Sequence, residues 1–175
     1  MLNCQLKANG KLLVEGRKGV IIGGKTCAKL GVSCNGIGNI AEIATVVSVG
    51  IDKEDMTAYQ ELQKKIEQTQ AELQTCENGL NKLMANPVHD EKVSMMIQRL
   101  TRAVYTLKSS RKELFSERNA QMEQMTKQKE ARIQVSGRAY PGTLLFLNED
   151  PFAIKEIYNN VEFVKHDNRI DTLAH

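Results

Sequence analysis

The sequence predicts an α+β protein in which a short β-solenoid is interrupted by a long antiparallel coiled-coil hairpin. Glycine-punctuated apolar runs occur at both ends of the 175-residue chain, and a heptad pattern fills its middle. We expect residues 1–51 to form the first part of the solenoid, 52–132 the hairpin, and 133–175 the returning strands and a C-terminal tail. Neither outer segment can bury a core alone, so we expect the two to pack together.

The composition predicts a cytoplasmic protein. No run of about 20 apolar residues could span a membrane, and the first 25 residues contain no apolar block typical of a secretory signal. The four cysteines and three histidines form no C-x-x-C or other close ligand pair, so we expect free thiols and neither a metal nor a cofactor. The net charge of +3 is too small to indicate a nucleic-acid partner.

The first segment has the features of short strands separated by turns. Nine of the twelve glycines lie within it, among many Val, Ile and Leu residues. We predict strands at 11–14, 19–22 and 44–49, with Gly23 and Gly24 forming a structural turn between two coils of the solenoid. The residues between the second and third strands are interpreted as further turns.

The middle segment is dominated by good helix formers, and its apolar residues are spaced by three and four. This spacing continues for about four heptads and is typical of a coiled-coil seam. The first helix contributes Tyr59, Leu62, Ile66, Leu73, Leu80 and Leu83. The second contributes Val93, Ile97, Leu100, Val104 and Leu107. Asn86 and Pro87 break the helix between them, which predicts an antiparallel hairpin that projects from the solenoid.

The last segment returns to strand-like sequence. Residues 133–135 alternate and 143–147 form an apolar run, while Tyr140, Pro141 and Gly142 predict the turn that re-enters the solenoid. Further on, we predict a helix or strand at 153–160, a strand at 161–164 and a frayed end at 171–175.

One motif suggests a different class of protein. Residues Gly19–Thr26 match G-x-x-x-x-G-K-[ST], the loop that cradles nucleotide phosphates. A nucleotide-binding enzyme that uses Lys25 and Thr26 is therefore an alternative. Such a loop opens a helix whose N-terminus binds the anion, but the glycine-rich sequence after Thr26 predicts no helix. We therefore favour a structural role for this motif.

The second predicted helix contains a basic stretch. Residues Arg99–Lys112 include five Lys or Arg side chains and no acidic one. A nucleic-acid or membrane-surface adaptor is the third hypothesis, although Tyr105 is the only aromatic residue there. Arg111 and Arg118 fall at expected apolar seam positions, which suggests that this end meets something besides its partner helix.

The order of several motifs resembles a known family. "KGVIIGG" at Lys18–Gly24, "TVVSVG" at Thr45–Gly50 and "IQVSGRAYPGTLLFL" at Ile133–Leu147 flank the heptad hairpin. This arrangement is similar to the C-terminal part of the bacterial flagellar assembly protein A family. The resemblance implies a β-solenoid interrupted by a coiled-coil hairpin, a structural glycine turn and no catalytic residues. Since members usually carry a long N-terminal region, the chain resembles a truncated or minimal member.

These observations predict a non-enzymatic bacterial scaffold or assembly protein. Exposed strand edges at the end of a solenoid favour stacking on another chain. We expect self-association or a protein partner, no nucleic acid, no cofactor and no transmembrane segment. The basic stretch Arg99–Lys112 also permits a peripheral contact with a membrane.

Overall fold

The fold is described from a computed structural model, which describes residues 1–16, 18–85, 90–167 and 169–174. Within these residues it contains ten strands and two helices. They are, in chain order, β1 (Leu2–Ala8), β2 (Leu12–Val14), β3 (Val20–Ala28), β4 (Val32–Ile37), β5 (Thr45–Val49), α1 (Lys53–Met84), α2 (Glu91–Lys129), β6 (Ile133–Ala139), β7 (Thr143–Leu147), β8 (Asp150–Ala153), β9 (Tyr158–His166) and β10 (Arg169–Ala174). The mixed α+β class predicted from the sequence is therefore confirmed.

The strands are stacked with a nearly constant chain length per coil. One stack contains β1, β3, β5 and β7 in parallel, and the other contains β2, β4 and β6 in parallel. Leu2 lies opposite Ile22, and Leu12 lies opposite Val32, so each partner is 20 residues further along the chain. A parallel pair with a fixed offset is what a coiling chain produces when one turn stacks on the last.

The two outer segments of the chain form one body. The pairing of β4 with β6 and of β5 with β7 joins the strands before the helices to those after them. Side chains from both stacks alternate inward and share one core, in which Phe163 is fully buried against Phe152 and Tyr158. The expectation that the outer segments pack together is confirmed.

The stacks end differently on their two sides. On one side, β8 pairs with β7 and β9 with β6, both antiparallel, and β10 then pairs with β9. On the other side, β1 pairs with β3 alone and β2 with β4 alone among the described strands. The β1 and β2 edges therefore carry backbone groups with no strand beside them.

Gly23 and Gly24 lie inside β3, and not in a loop between two strands. Their φ angles are +68° and +76°, which favour glycine. A Cβ on Gly24 would lie 2.2 Å from the carbonyl oxygen of Cys4. At this bend β3 changes partners, from β4 before it to β1 and β5 after it. The separate inter-coil turn interpreted from the sequence is thus a corner within one longer strand.

Several strands differ from those predicted. Gly31, Gly36 and Gly38 predict turns in the β4 region, but the structure forms a strand there and accommodates Asn35 at a register shift in the pairing with β6. The frayed end predicted at 171–175 is wrong for residues 171–174, which belong to β10. Both β1 and β10 are mostly exposed edge strands, so neither shows the apolar alternation that would have predicted it.

The structure divides into two compact units, Met1–Met56 with Glu123–His175, and Thr57–Met122. The first holds the strands, and the second holds most of both helices. The predicted helix break at Asn86 and Pro87 lies outside the described residues.

Candidate interaction surfaces

The start of α1 is fixed by charges from the strand unit. Asp52 caps the helix, since its Oδ1 accepts the Asp55 N–H at 3.0 Å. Lys29, in the β3–β4 turn, forms an ion pair with Asp55, and Lys7 of β1 pairs with Glu54 at 2.5 Å. One strand and one turn of the solenoid therefore orient the first turn of the helix.

These contacts shift two pKa values. The hydrogen bond to Glu54, with the nearby carboxylate charges, raises the pKa of Lys7 above its usual value. Burial alone would raise the pKa of Asp52, but the Asp55 N–H and the charges of Lys29 and Lys7 together lower it. Both groups are therefore held in their charged forms, as an electrostatic connection requires.

Asn148 holds both chain segments that lead to the helices. Its Oδ1 accepts the backbone N–H of Ile51 at 2.9 Å, just before α1. Its Nδ2 donates to the carbonyl of Lys129 at 3.1 Å, at the end of α2. One side chain in the β7–β8 turn thus keeps the exit from the solenoid next to the re-entry. A motif search does not find this residue, because its partners are distant in sequence.

Among the strands that the structure describes, β3 is the only one that pairs with β1. The Lys29 N–H donates to the Ala8 carbonyl at 3.0 Å, so Ala8 is directed towards β3. Because residues of a parallel strand alternate between their two neighbours, the N–H and C=O of Gln5 and Lys7 face the open edge. The exposed side chains of Leu2 and Leu13 lie on the two strands of this end. Such an edge is a template for another strand.

The predicted seam residues lie on the buried side of each helix. Leu62, Ile66 and Leu73 of α1 are buried, as is Val104 of α2. The other predicted seam positions are half-buried, namely Tyr59, Leu80, Leu83, Val93, Ile97, Leu100 and Leu107. The residues between them are mostly exposed. The burial pattern therefore follows the heptad spacing.

Two contacts and one close approach relate the two helices in antiparallel order. The Lys108 ammonium lies 2.8 Å from the Glu77 carboxylate, and Arg111 donates to Gln70 Oε1 at 2.7 Å. A Cβ on Gly79 would lie 3.7 Å from Leu100. Residue numbers fall along α2 as they rise along α1, so the helices run in opposite directions.

The two arginines at seam positions are accommodated differently. Arg111 is half-buried and makes the hydrogen bond to Gln70. The guanidinium of Arg118 stacks over the Phe115 ring, 4.7 Å from its centroid. Both charges are thus accommodated within the helix pair.

The nucleotide-loop residues do not form an anion site. Lys25 and Thr26 lie within β3, which continues to Ala28, so no helix begins at Thr26. Thr26 is buried in the core and Lys25 is exposed on the opposite face of the strand. A strand directs these two side chains apart, whereas a phosphate loop must converge on its ligand.

The turn predicted at residues 140–142 lies between β6 and β7. Tyr140, Pro141 and Gly142 connect β6 to β7, and Gly142 has a φ of +78°. A Cβ on Gly142 would lie 2.7 Å from the Glu42 carbonyl oxygen of the preceding coil. Glycine therefore permits two successive coils to approach closely at this corner.

Two further features concern the described residues alone. No cluster of three or more His, Cys, Asp and Glu side chains among them could hold a metal ion. In the same part of the chain, neither helix has a stretch long and apolar enough to cross a lipid bilayer.

Burial raises the pKa of the Cys34 thiol to about 12, so this cysteine stays protonated inside the core.

Parallel strands stacked coil on coil around one core, with helices inserted between two coils, define a β-solenoid protein. The sequence model of the flagellar assembly protein A beta solenoid domain matches residues 1–170. The chain belongs to this family, which confirms the resemblance seen in the sequence. No curated protein and no solved structure matches the chain.

Proposed function

We propose that the protein is a non-enzymatic scaffold of flagellar assembly that associates through its open solenoid edge. The observation that carries this proposal is the β1 edge, where backbone groups of Gln5 and Lys7 have no strand partner among the described residues. The family description supports a connection with flagellar assembly. A coiled coil formed by α1 and α2 provides a second surface for partners.

The chemistry of the two solenoid ends favours a particular mode of association. The β8 strand contains Pro151, which cannot donate a backbone hydrogen bond to another strand. The β1 strand contains no proline. A head-to-tail filament would need both ends, whereas a two-fold dimer needs the β1 edge alone. We therefore expect two copies to pair through their β1 strands.

The coiled-coil part of the proposal is supported by burial and direction. Seam positions at three- and four-residue spacing are withdrawn from solvent on both helices. The contacts between Lys108 and Glu77 and between Arg111 and Gln70 run antiparallel. Both features are typical of an antiparallel coiled coil.

Edge pairing is tested by removing one donor. Gln5→Pro deletes an N–H that faces the open edge and leaves the bonds of β1 to β3 in place. We expect the wild-type chain to have twice its 19.6 kDa mass by light scattering coupled to size exclusion, and the variant to be a monomer.

The matched control is Gln5→Thr, which keeps the donor and suits a strand, and it should remain a dimer. A monomeric wild-type chain, or a dimer that survives Gln5→Pro, would contradict the edge proposal. Far-UV circular dichroism identifies a variant that has lost its fold.

A further inference from the structure

The C-terminal end of α1 and the N-terminal part of α2 carry an exposed patch of apolar and basic side chains. We call it the tip patch, and it consists of Met84, Lys92, Met95, Met96, Arg99 and Arg102. Its three methionines are 62%, 50% and 56% exposed in chain order. These three side chains are among the exposed large apolar residues of the described chain, and none of them belongs to the seam.

The antiparallel register brings the two parts of the patch to the same level. Gly79 faces Leu100, as the short distance from a Cβ at Gly79 shows. Five residues further along α1 is Met84, and four or five residues back along α2 are Met96 and Met95. The three methionines therefore lie at one height of the helix pair.

The basic side chains of the patch have no acidic partner. The side chains of Lys92, Arg99 and Arg102 are exposed and make no hydrogen bond or ion pair within the described part of the chain. No acidic residue occurs in α2 between Glu91 and Glu113. Lys108 further along the helix, by contrast, is neutralised by Glu77. The positive charge of the patch is therefore available to an external anion.

A surface with exposed methionine side chains and exposed Lys and Arg side chains is suited to the interface of a lipid bilayer. A bilayer interface offers apolar volume between its headgroups and, when anionic, attracts Lys and Arg. Single-stranded nucleic acid would need aromatic platforms for its bases, and the patch contains none. We propose that the tip patch binds the surface of an anionic lipid bilayer as a peripheral contact.

The proposal is tested with the full chain and vesicles of phosphatidylcholine, with or without phosphatidylglycerol. We expect sedimentation with the anionic vesicles alone, and binding that weakens as salt rises. The double variant Arg99→Gln/Arg102→Gln should reduce binding by about tenfold or more, because each cation near the surface contributes to attraction. The triple variant Met84→Gln/Met95→Gln/Met96→Gln should also reduce it.

The matched control is Lys64→Gln/Lys65→Gln, which removes two exposed charges from α1 outside the patch. It should bind as the wild type does. Equal loss in this control would show bulk electrostatics and overturn the proposal, as would absence of binding to anionic vesicles. Tight binding to single-stranded DNA that the methionine variant retains would assign the patch to nucleic acid instead. Circular dichroism must show unchanged helix content in each variant.

Discussion

Asn148 shows how one side chain can control the connection between two elements of the fold. It contacts the backbone before α1 and after α2, and the space it needs is created by a glycine. A Cβ on Gly50 would lie 2.0 Å from Asn148 Oδ1, and the φ of Gly50 is +88°. Any larger residue at position 50 would therefore clash with this side chain and strain the backbone.

A second residue at this junction gives a pH-dependent prediction. The pKa of Asp52 is lowered in the folded protein, so its contribution to stability is present above the unfolded value and is lost as pH falls through the folded value. Asp52→Asn keeps an oxygen for the helix cap but removes the charge. We expect it to cost about 0.5–1 kcal/mol at neutral pH, as partly exposed ion pairs do.

This cost should decrease as the pH falls through the lowered pKa of Asp52, and it should vanish once Asp52 is protonated in both the folded and the unfolded state. Urea unfolding at neutral and acidic pH measures the difference between the two proteins. Exposed Asp171 makes no ion pair within the described residues, so Asp171→Asn serves as the control. A cost that stays constant with pH would contradict the electrostatic explanation.

At the scale of elements, the helix pair depends on a few buried side chains within a polar surface. Leu73 is 1% exposed and is the most buried residue of α1. Its neighbours along the seam are separated by charged and amide side chains that remain exposed. Helices within proteins gain most of their stability from tertiary packing, and isolated helices are only marginally stable. We therefore expect the seam to hold the two helices together.

Leu73→Asp tests this dependence. Burying a carboxylate in place of a leucine removes the packing energy and adds a desolvation cost, a total above about 3 kcal/mol. We expect a large loss of the helical signal at 222 nm in circular dichroism and a lower melting temperature. Gln74→Asp introduces the same charge at an exposed position and should change neither. Unchanged helix content in Leu73→Asp would refute the seam.

At the scale of the whole molecule, the solenoid and the helices are joined at one coil corner. Ala28 pairs with Val49, and Val32 pairs with Ile133. Residues 29–31 of one coil therefore correspond to residues 50–132 of the next. The segment that contains both helices connects the same two strand positions that three residues connect in the preceding coil. The strand register can therefore form without the helices.

This correspondence predicts that the solenoid folds without its helices. A chain in which residues 50–132 are replaced by Lys-Leu-Gly, the sequence of 29–31, should keep its strand pairs. We expect far-UV circular dichroism to lose the helical component, retain the strand component and show a cooperative thermal transition. A second replacement of the same length by Gly-Ser-Gly tests whether the corner sequence matters. Failure of both to unfold cooperatively would show that the strands need the helices.

Elements with a local apolar pattern were predicted correctly from the sequence, and elements without such a pattern were missed. The two helices were predicted because the apolar spacing that indicates them is local to each helix. The strands β5 and β7 were predicted because each is a short run rich in apolar and β-branched residues, which is typical of a buried strand. The strands β1, β4 and β10 were missed, since β1 and β10 are exposed edge strands and β4 contains a glycine and a register shift.

The sequence by itself determined the two helices, the strands that face the core such as β5 and β7, the family resemblance and the absence of a phosphate-binding helix after Thr26. The tertiary structure decided the 20-residue coil, the bend inside β3, the open β1 edge and the role of Asn148. The physical reason is the sequence separation of the interacting residues. Apolar periodicity within one element shows which of its faces is buried, whereas strand register and strand edges depend on pairing with residues far away along the chain.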